Sequence, residues 1–175
     1  MDQLILVDSS DREKGFDSKE NCHLLPTKLH RAFSIFVFSK GKMLITKRSS
    51  LKKTWPGFWT NACCSHPRKG EKIEDAVKRR LKEEMGFVCD LKHLFSFEYK
   101  ADFDKKYGEW ELDHVFVGSY DGKINPNKEE VENMKFVDIN ELKKDVKKNP
   151  GKYSPWFKLC FERVIDYAEE NKILK

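Results

Sequence analysis

Three short segments hold the side chains whose types and spacing could do chemistry. The first is Thr60-Asn61-Ala62-Cys63-Cys64-Ser65-His66-Pro67. An extended backbone there places Cys64 and His66 on one side and Cys63 on the other. A thiol and an imidazole on a shared face suit proton transfer or metal ligation. A structural zinc site drawn from Cys63, Cys64, His66, Cys22 and His23 lacks the Cys-x2-Cys spacing of such sites. The second segment is Gly108-Glu109-Trp110-Glu111-Leu112-Asp113, leading into His114-Val115-Phe116-Val117. Glu109, Glu111 and Asp113 fall on the side of Val115 and Val117. Either that side is solvated and Trp110, Leu112 and Phe116 are inside, or the carboxylates face inward. Buried and unpaired they would be costly, so the inward alternative calls for a metal or a proton-transfer role.

The third segment is the helix expected over Glu71–Met85, where Ile73, Val77, Arg80 and Glu84 share one face with Ala76 and Leu81 beside them. Arg80 and Glu84 form a rim ion pair, or they aim a guanidinium at a phosphate and a carboxylate at a cation. The remaining candidates are weaker on pattern alone. His23 and His30 stand seven apart in a polar stretch, and His93 and His114 read as structural. Cys89 and Cys160 read as inert core thiols.

The elements that must position these residues alternate in type. A short strand is expected at Leu4–Asp8, then irregular chain from Ser9 to about Arg31. A hairpin follows, Ala32–Ser39 and Met43–Lys47, turning near Lys40-Gly41. Lys52–Pro67 reads as loop, with Trp-Pro-Gly and His-Pro punctuation. Gly86 closes the helix over Glu71–Met85. Strands are expected at Leu94–Lys100, Leu112–Tyr120 and Lys135–Ile139. Asp138-Ile139-Asn140-Glu141 reads as a capping box for a helix to about Lys148, and Ser154-Pro155 opens a last helix to about Asn171. Interleaved strands and helices imply an α/β domain with a mixed sheet.

Composition bounds the function. The chain has 175 residues, one domain's worth spanning 1–175, with 39% hydrophobic and 36% charged residues. Its 13 Phe, 5 Tyr and 4 Trp supply enough bulk for a core despite a mean hydropathy of −0.71. A net charge of +5 is spread along the sequence, without the basic blocks of a nucleic-acid arm. No nucleic-acid partner is expected, and a small phosphorylated substrate fits. The best apolar run, Ala32–Phe38, is too short to span a membrane. Met1-Asp2-Gln3 has no basic region ahead of Leu4–Val7, so no secretory signal is expected. The five cysteines are then read as reduced and the location as cytoplasmic.

Taken in order, Trp55-Pro56-Gly57-Phe58-Trp59-Thr60-Asn61, Cys64-Ser65-His66-Pro67, Gly70-Glu71, Glu109-Trp110-Glu111 and Ser154-Pro155-Trp156 resemble the type 1 isopentenyl-diphosphate Δ-isomerases, a branch of the Nudix superfamily. Ser65 through Phe87 resembles a degenerate Nudix box. Glu71, Arg79, Glu83, Glu84, Gly86 and Phe87 fit it, while Ser65 replaces a Gly and Arg80 replaces a Glu. The resemblance implies a Nudix-type α/β/α sandwich. It implies isomerisation of isopentenyl to dimethylallyl diphosphate through a tertiary carbocation-like state, which needs an acid and a base on opposite faces of the allyl unit. It assigns Cys64 and Glu111 to those roles, Tyr99 beside Glu111, and the Trp156 π face to the cation.

By the same resemblance His23, His30, His66, Glu109 and Glu111 ligate one divalent metal, zinc or manganese. Glu84 and the Cys64 carbonyl serve a Mg2+ that bridges to the diphosphate. Lys19, Arg48, Lys52 and Arg80 hold the diphosphate. A monomer acting on a homoallylic or allylic diphosphate is expected. A Nudix pyrophosphohydrolase is the alternative within enzymes, and Arg80 removes one carboxylate it would need. A basic RNA- or diphosphate-binding module is the alternative outside them, and it would not require Cys64, Tyr99, Glu111 and Trp156 together.

Overall fold

The structure, a computed structural model, describes residues 3–171 and 173, so Met1 and Asp2, read above for a leader, lie outside the described residues. In chain order the elements are β1 (Gln3–Val7), β2 (Glu13–Ser18), α1 (Lys19–His23), β3 (His30–Ser39), β4 (Lys42–Arg48), β5 (Trp59–Thr60) and β6 (Cys63–Ser65). Then come α2 (Ile73–Met85), β7 (Leu91–Asp102), β8 (Gly108–Ser119), β9 (Val131–Asp138), α3 (Ile139–Lys148), a 3-10 turn at Pro150–Lys152 and α4 (Pro155–Glu170).

The strands form one mixed sheet around β3, which pairs antiparallel with β1, β4 and β6 and parallel with β8. β7 extends the sheet beyond β8, and β9 extends it beyond β4. Period-two alternation along β3 feeds two cores. Phe36 and Phe38 pack with Val115, Val117 and the α4 residues Phe157, Phe161 and Val164 on one side. Phe33, Ile35 and Val37 pack with Phe116 and the α2 residues Ala76, Val77, Leu81 and Met85 on the other. A sheet covered on both faces shows near-continuous apolar runs, and Ala32–Phe38 is one. The expected α/β/α sandwich is present. Among the described residues no helix is long and apolar enough to cross a membrane.

Several expected elements differ in extent. Ser9–Arg31 is not irregular: it contains β2 and α1, and β3 begins at His30. β2 is an edge strand, Glu-Lys-Gly-Phe-Asp-Ser, held only by β1, so it needs no apolar face and carries no alternation to read. Lys52–Pro67 holds the short strands β5 and β6, whose pairing to β4 and β3 is tertiary and leaves no local pattern. β7 and β8 are 12 residues each, longer than expected because they pair with each other to Asp102 and Gly108. α2 starts at Ile73, while Glu71 folds back to take a two-pronged bond from Arg79 at 2.6 and 2.8 Å. Asp138 caps α3 by accepting from the Asn140 and Glu141 amides. Ser154 does not cap α4 with its side chain, because its hydroxyl donates instead to Thr60 at 2.9 Å.

Candidate active site and metal centre

β8 carries the acids inward. Glu109, Glu111 and Asp113 are buried at 6%, 7% and 1% exposure, on the α4 side of the sheet in line with Val115 and Val117. The solvated-face alternative is excluded. Leu112 and Phe116 are buried too, Leu112 with Ile5 and Val7 and Phe116 with the α2 residues, because this strand lies inside the sandwich.

Three histidines converge on Glu111. His30 opens β3 directly opposite Glu111 in the parallel register, His23 ends α1, and His66 follows β6. Glu111 Oε1 lies 2.7 Å from His66 Nε2, 3.4 Å from His30 Nε2 and 4.0 Å from His23 Nε2. His23 Nδ1 and His30 Nδ1 each donate to a backbone carbonyl, Lys19 and Lys28, at 2.7 Å. Those bonds fix the tautomer and leave the Nε2 lone pairs facing the centre, the arrangement metal-ligating imidazoles use. His30 Nε2 is buried and unpaired by any well-formed hydrogen bond. Burial pushes His23 down to about 4 and His66 well below the ordinary imidazole value. Burial acts to raise the Glu111 carboxyl, but the close approach of the His30 and His66 rings outweighs it and holds the group low. Three imidazoles around a carboxylate, all buried with ligand atoms within 4.8 Å of one another, fit a divalent metal.

Glu109, expected among these ligands, stands outside that group of four. Its Oε1 accepts from Thr54 at 2.8 Å and its Oε2 meets Tyr99 Oη at 2.8 Å. Tyr99 Oη also meets Glu111 Oε2 at 2.6 Å. One phenolic proton cannot serve two carboxylates. The Tyr99 hydroxyl therefore donates to one of the two at a time, and burial, helped by the Glu111 charge, raises the Glu109 carboxyl.

Cys64 and Cys63 part as the extended geometry requires. Cys63 is buried among Ile35, Ala62 and the α2 residues, whereas Cys64 packs against the α4 core and lines a cavity. That cavity is about 500 Å³ and is also lined by Lys19, His23, Arg48, Lys52, His66, Glu109, Glu111 and Trp156. Burial pushes the Cys64 thiol up to about 12, so it carries its proton at neutral pH. Trp156, in the first turn of α4, points its indole N–H at Cys64 Sγ, 3.1 Å away.

The expected diphosphate cations divide. Lys19 and Lys52 line the cavity, and Lys52 is paired with Glu130. Arg48 lines it as well, but its Nε and Nη2 donate to the Trp55 and Thr54 carbonyls, and its guanidinium sits 5.1 Å from the Trp156 ring centre. These bonds hold the Trp55-Pro56-Gly57 turn, where both Trp55 (φ 44°) and Gly57 (φ 77°) are left-handed. Arg80 lies in an adjoining cleft that shares Lys19, Ser65 and His66 with the cavity. It bonds Glu83 at 2.7 Å, Glu130 at 2.9 Å, and Glu84. The ion pair with Glu84 therefore exists, but under the site and not at a solvated rim: Glu84 is 5% exposed. Glu84 lines a small crevice with Cys63, Cys64 and Glu130.

Sequence reasoning missed Glu130, Thr54 and the cavity-rim trio Glu20, Lys53 and Tyr107, in which Tyr107 Oη donates to Glu20 at 2.8 Å. Nothing local marks them, since each meets its partner through tertiary folding.

Residues 28–157 match the NUDIX domain family. Isopentenyl-diphosphate Delta-isomerase 2 of Aromatoleum aromaticum is 47% identical over 171 residues, covering 97% of this chain and 90% of the relative. The chain belongs to this isomerase family within the Nudix fold. Isopentenyl-diphosphate Delta-isomerase II, chloroplastic, of Arabidopsis thaliana is 40% identical, covering 99% of this chain and 72% of the relative. Among solved structures, the MutT protein of Methanosarcina mazei superposes with a TM-score of 0.64 at 19% identity, covering 82% of this chain and 96% of that one, a likeness of fold.

Proposed function

We propose that this chain is an isomerase of the type 1 branch that interconverts isopentenyl and dimethylallyl diphosphate by adding a proton at one end of the three-carbon alkene unit and removing one from the other. The observation that carries this reading is a single cavity in which a protonated thiol, Cys64, and an ionised carboxylate, Glu111, face the same space beside an aromatic wall, Trp156. An unactivated alkene is a very weak base, so its protonation needs an acid held in place, a base ready for the second proton, and exclusion of water.

Lys19, Arg48, Lys52 and Arg80 would bind the diphosphate and fix the alkene between the two groups. Cys64 holds a proton on Sγ and Glu111 offers a carboxylate oxygen, with Tyr99 and Glu109 setting that oxygen's hydrogen bonding. The Trp156 ring offers its π density to positive charge developing on the tertiary carbon, an interaction worth about 2 kcal/mol or more when desolvated. His23, His30, His66 and Glu111 would hold zinc or manganese, with Glu109, bonded in this structure to Thr54 and Tyr99, the fifth candidate ligand. Glu84 and the Cys64 carbonyl would serve Mg2+. Such cations supply positive charge that keeps Glu111 ionised and neutralises the diphosphate. The hydrolase alternative is disfavoured by Arg80, whose guanidinium occupies the Glu84 carboxylate. The cytoplasm and a monomeric state belong to the same reading.

Proton NMR of isopentenyl diphosphate in deuterated buffer, with phosphate release followed in parallel, tests it. Deuterium incorporation with conversion to the dimethylallyl isomer and no phosphate is expected. Cys64→Ala should abolish turnover with the fold intact, while Cys63→Ala, on the opposite face, should keep most of it. Equal loss in both variants, or phosphate as product, would overturn the assignment.

A further inference from the structure

Around Cys64 four buried polar side chains form a connected set. Thr60, Asn61 and Ser154 are 4%, 0% and 0% exposed, and Trp156 is 2% exposed. Asn61 Nδ2 donates to the Ile35 carbonyl at 3.1 Å and the Cys63 carbonyl at 2.9 Å. Both are acceptors only, so the amide has one possible orientation, and Oδ1 must face Thr60 and Cys64. Thr60 Oγ1 lies 2.9 Å from Asn61 Oδ1 and Cys64 Sγ lies 3.0 Å from it. An amide oxygen only accepts, so the single Thr60 hydroxyl proton points at Asn61. The lone pairs of Thr60 Oγ1 are then left for two donors, Ser154 Oγ and Trp156 Nε1, each at 2.9 Å. The same indole N–H lies 3.1 Å from Cys64 Sγ. The indole N–H is thus shared between Thr60 Oγ1 and Cys64 Sγ.

We infer that Thr60 is a positioning residue for isomerisation, whose hydroxyl ties the Trp156 indole and the Asn61 amide into one frame that fixes Cys64 Sγ relative to the Trp156 ring. The inference rests on the reading above, in which Cys64 and Trp156 meet the substrate. Two separate parts of the chain must agree for that geometry to exist. Cys64 and Asn61 come from the β5–β6 segment, and Trp156 comes from the first turn of α4. The junction between them is made at Thr60 by its hydroxyl, and by the Ser154 amide donating to the Trp59 carbonyl at 3.0 Å. Without the hydroxyl, the indole keeps only a sulfur as acceptor and can tilt. The acid and the cation-holding ring then lose their mutual register, while Lys19, Lys52 and Arg80 sit on other segments and only Arg48, 5.1 Å from the Trp156 ring centre, borders the indole. Misplacement of reacting groups by about 1 Å costs on the order of 100-fold in rate.

Val is isosteric with Thr and Ser keeps the hydroxyl, so the pair separates shape from hydrogen bonding. Thr60→Val should lower kcat roughly 10- to 100-fold with KM within about threefold. Thr60→Ser should recover most of kcat. In 15N-labelled protein the Trp156 indole N–H resonance, assigned by its loss in Trp156→Phe, should move in Thr60→Val and return in Thr60→Ser. Ser154→Ala, which removes one of the two donors to Thr60, gives a second reading and should lower kcat several-fold at constant KM. An active wild-type enzyme with unchanged kcat in Thr60→Val would overturn the positioning role alone. So would a kcat loss with an unmoved indole resonance, or one not relieved by Ser. Wild-type protein inert toward isopentenyl diphosphate would overturn the isomerase reading and this role with it.

Discussion

His23 and His66 lie buried beside Glu111, and burial disfavours the charged form of both imidazoles in the folded protein. The cost appears in the pH dependence of stability. His23 titrates near 6.5 when unfolded and at about 4 when folded, because burial disfavours its cation. Between those values the unfolded chain binds a proton that the native site refuses, so stability is present above about pH 6.5 and is lost as pH falls toward 4. At about 1.4 kcal/mol per pH unit, that loss is on the order of 3 kcal/mol for this residue. Urea midpoints of chelator-treated protein at pH 7.0, 5.5 and 4.5 should fall steeply for wild type and more gently for His23→Gln. Parallel curves for the two proteins would remove His23 as the source. A bound divalent metal, which requires neutral imidazoles, should deepen the pH dependence.

At the scale of elements, the end of α2 is set by one backbone geometry. Gly86 is left-handed at φ 76°, its amide donates to the Lys82 carbonyl, and a Cβ there would come within 2.7 Å of the Asn125 carbonyl oxygen. Gly86→Ala meets both strain and a backbone clash, and should destabilise the protein by about 1–3 kcal/mol. Because α2 also carries Arg80 and Glu84, KM should rise as the melting temperature drops; a melting temperature within a degree of wild type would contradict the clash.

The elements legible in the sequence were those whose pattern is local. α2 announced itself by its apolar stripe and Gly86, and β8 by an alternation that runs from Glu109 through Val117. That alternation grouped Glu109, Glu111 and Asp113 with Val115 and Val117 but left open whether their side is solvated; the fold buries it, because β8 lies inside the sandwich. β2, β5 and β6 had no such signal, since their pairing to β1, β4 and β3 is what makes them strands. His23 and His30 looked ordinary for the same reason: seven residues apart in sequence, they meet only because α1 and the start of β3 fold against β8. The family motif supplied what periodicity could not there. It also counted Glu109 among the ligands, whereas the fold engages that side chain with Thr54 and Tyr99.

Across the whole molecule, the choice between moving protons on carbon and cleaving a diphosphate turns on Arg80, which stands where the Nudix box carries a Glu. Its guanidinium joins Glu84 on α2 to Glu130 ahead of β9, and Lys52 reaches Glu130 from the other side. Burial tends to raise the Glu130 carboxyl, yet Lys52 and Arg80 outweigh it and hold the group at about 2. Two cations thus wait on two carboxylates beside the cavity, and on the proposed reading an incoming diphosphate would compete with Glu130 for them. Arg80→Ala removes one partner of that exchange and should raise KM by roughly tenfold or more, about 1.4 kcal/mol, which is the scale of one charge-assisted hydrogen bond. The fall in kcat should be smaller, because Arg80 lies in the adjoining cleft and not beside Cys64 and Glu111. Arg80→Lys should recover only part of the affinity, since an ammonium cannot reproduce a fork that reaches Glu83, Glu84 and Glu130 at once. An Arg80→Ala enzyme with unchanged KM and a lowered melting temperature would make Arg80 a brace between α2 and the β9 loop. Arg80→Glu restores the carboxylate of the Nudix pattern: phosphate release from that variant, absent in wild type, would show that this one substitution keeps hydrolysis silent on an otherwise competent scaffold.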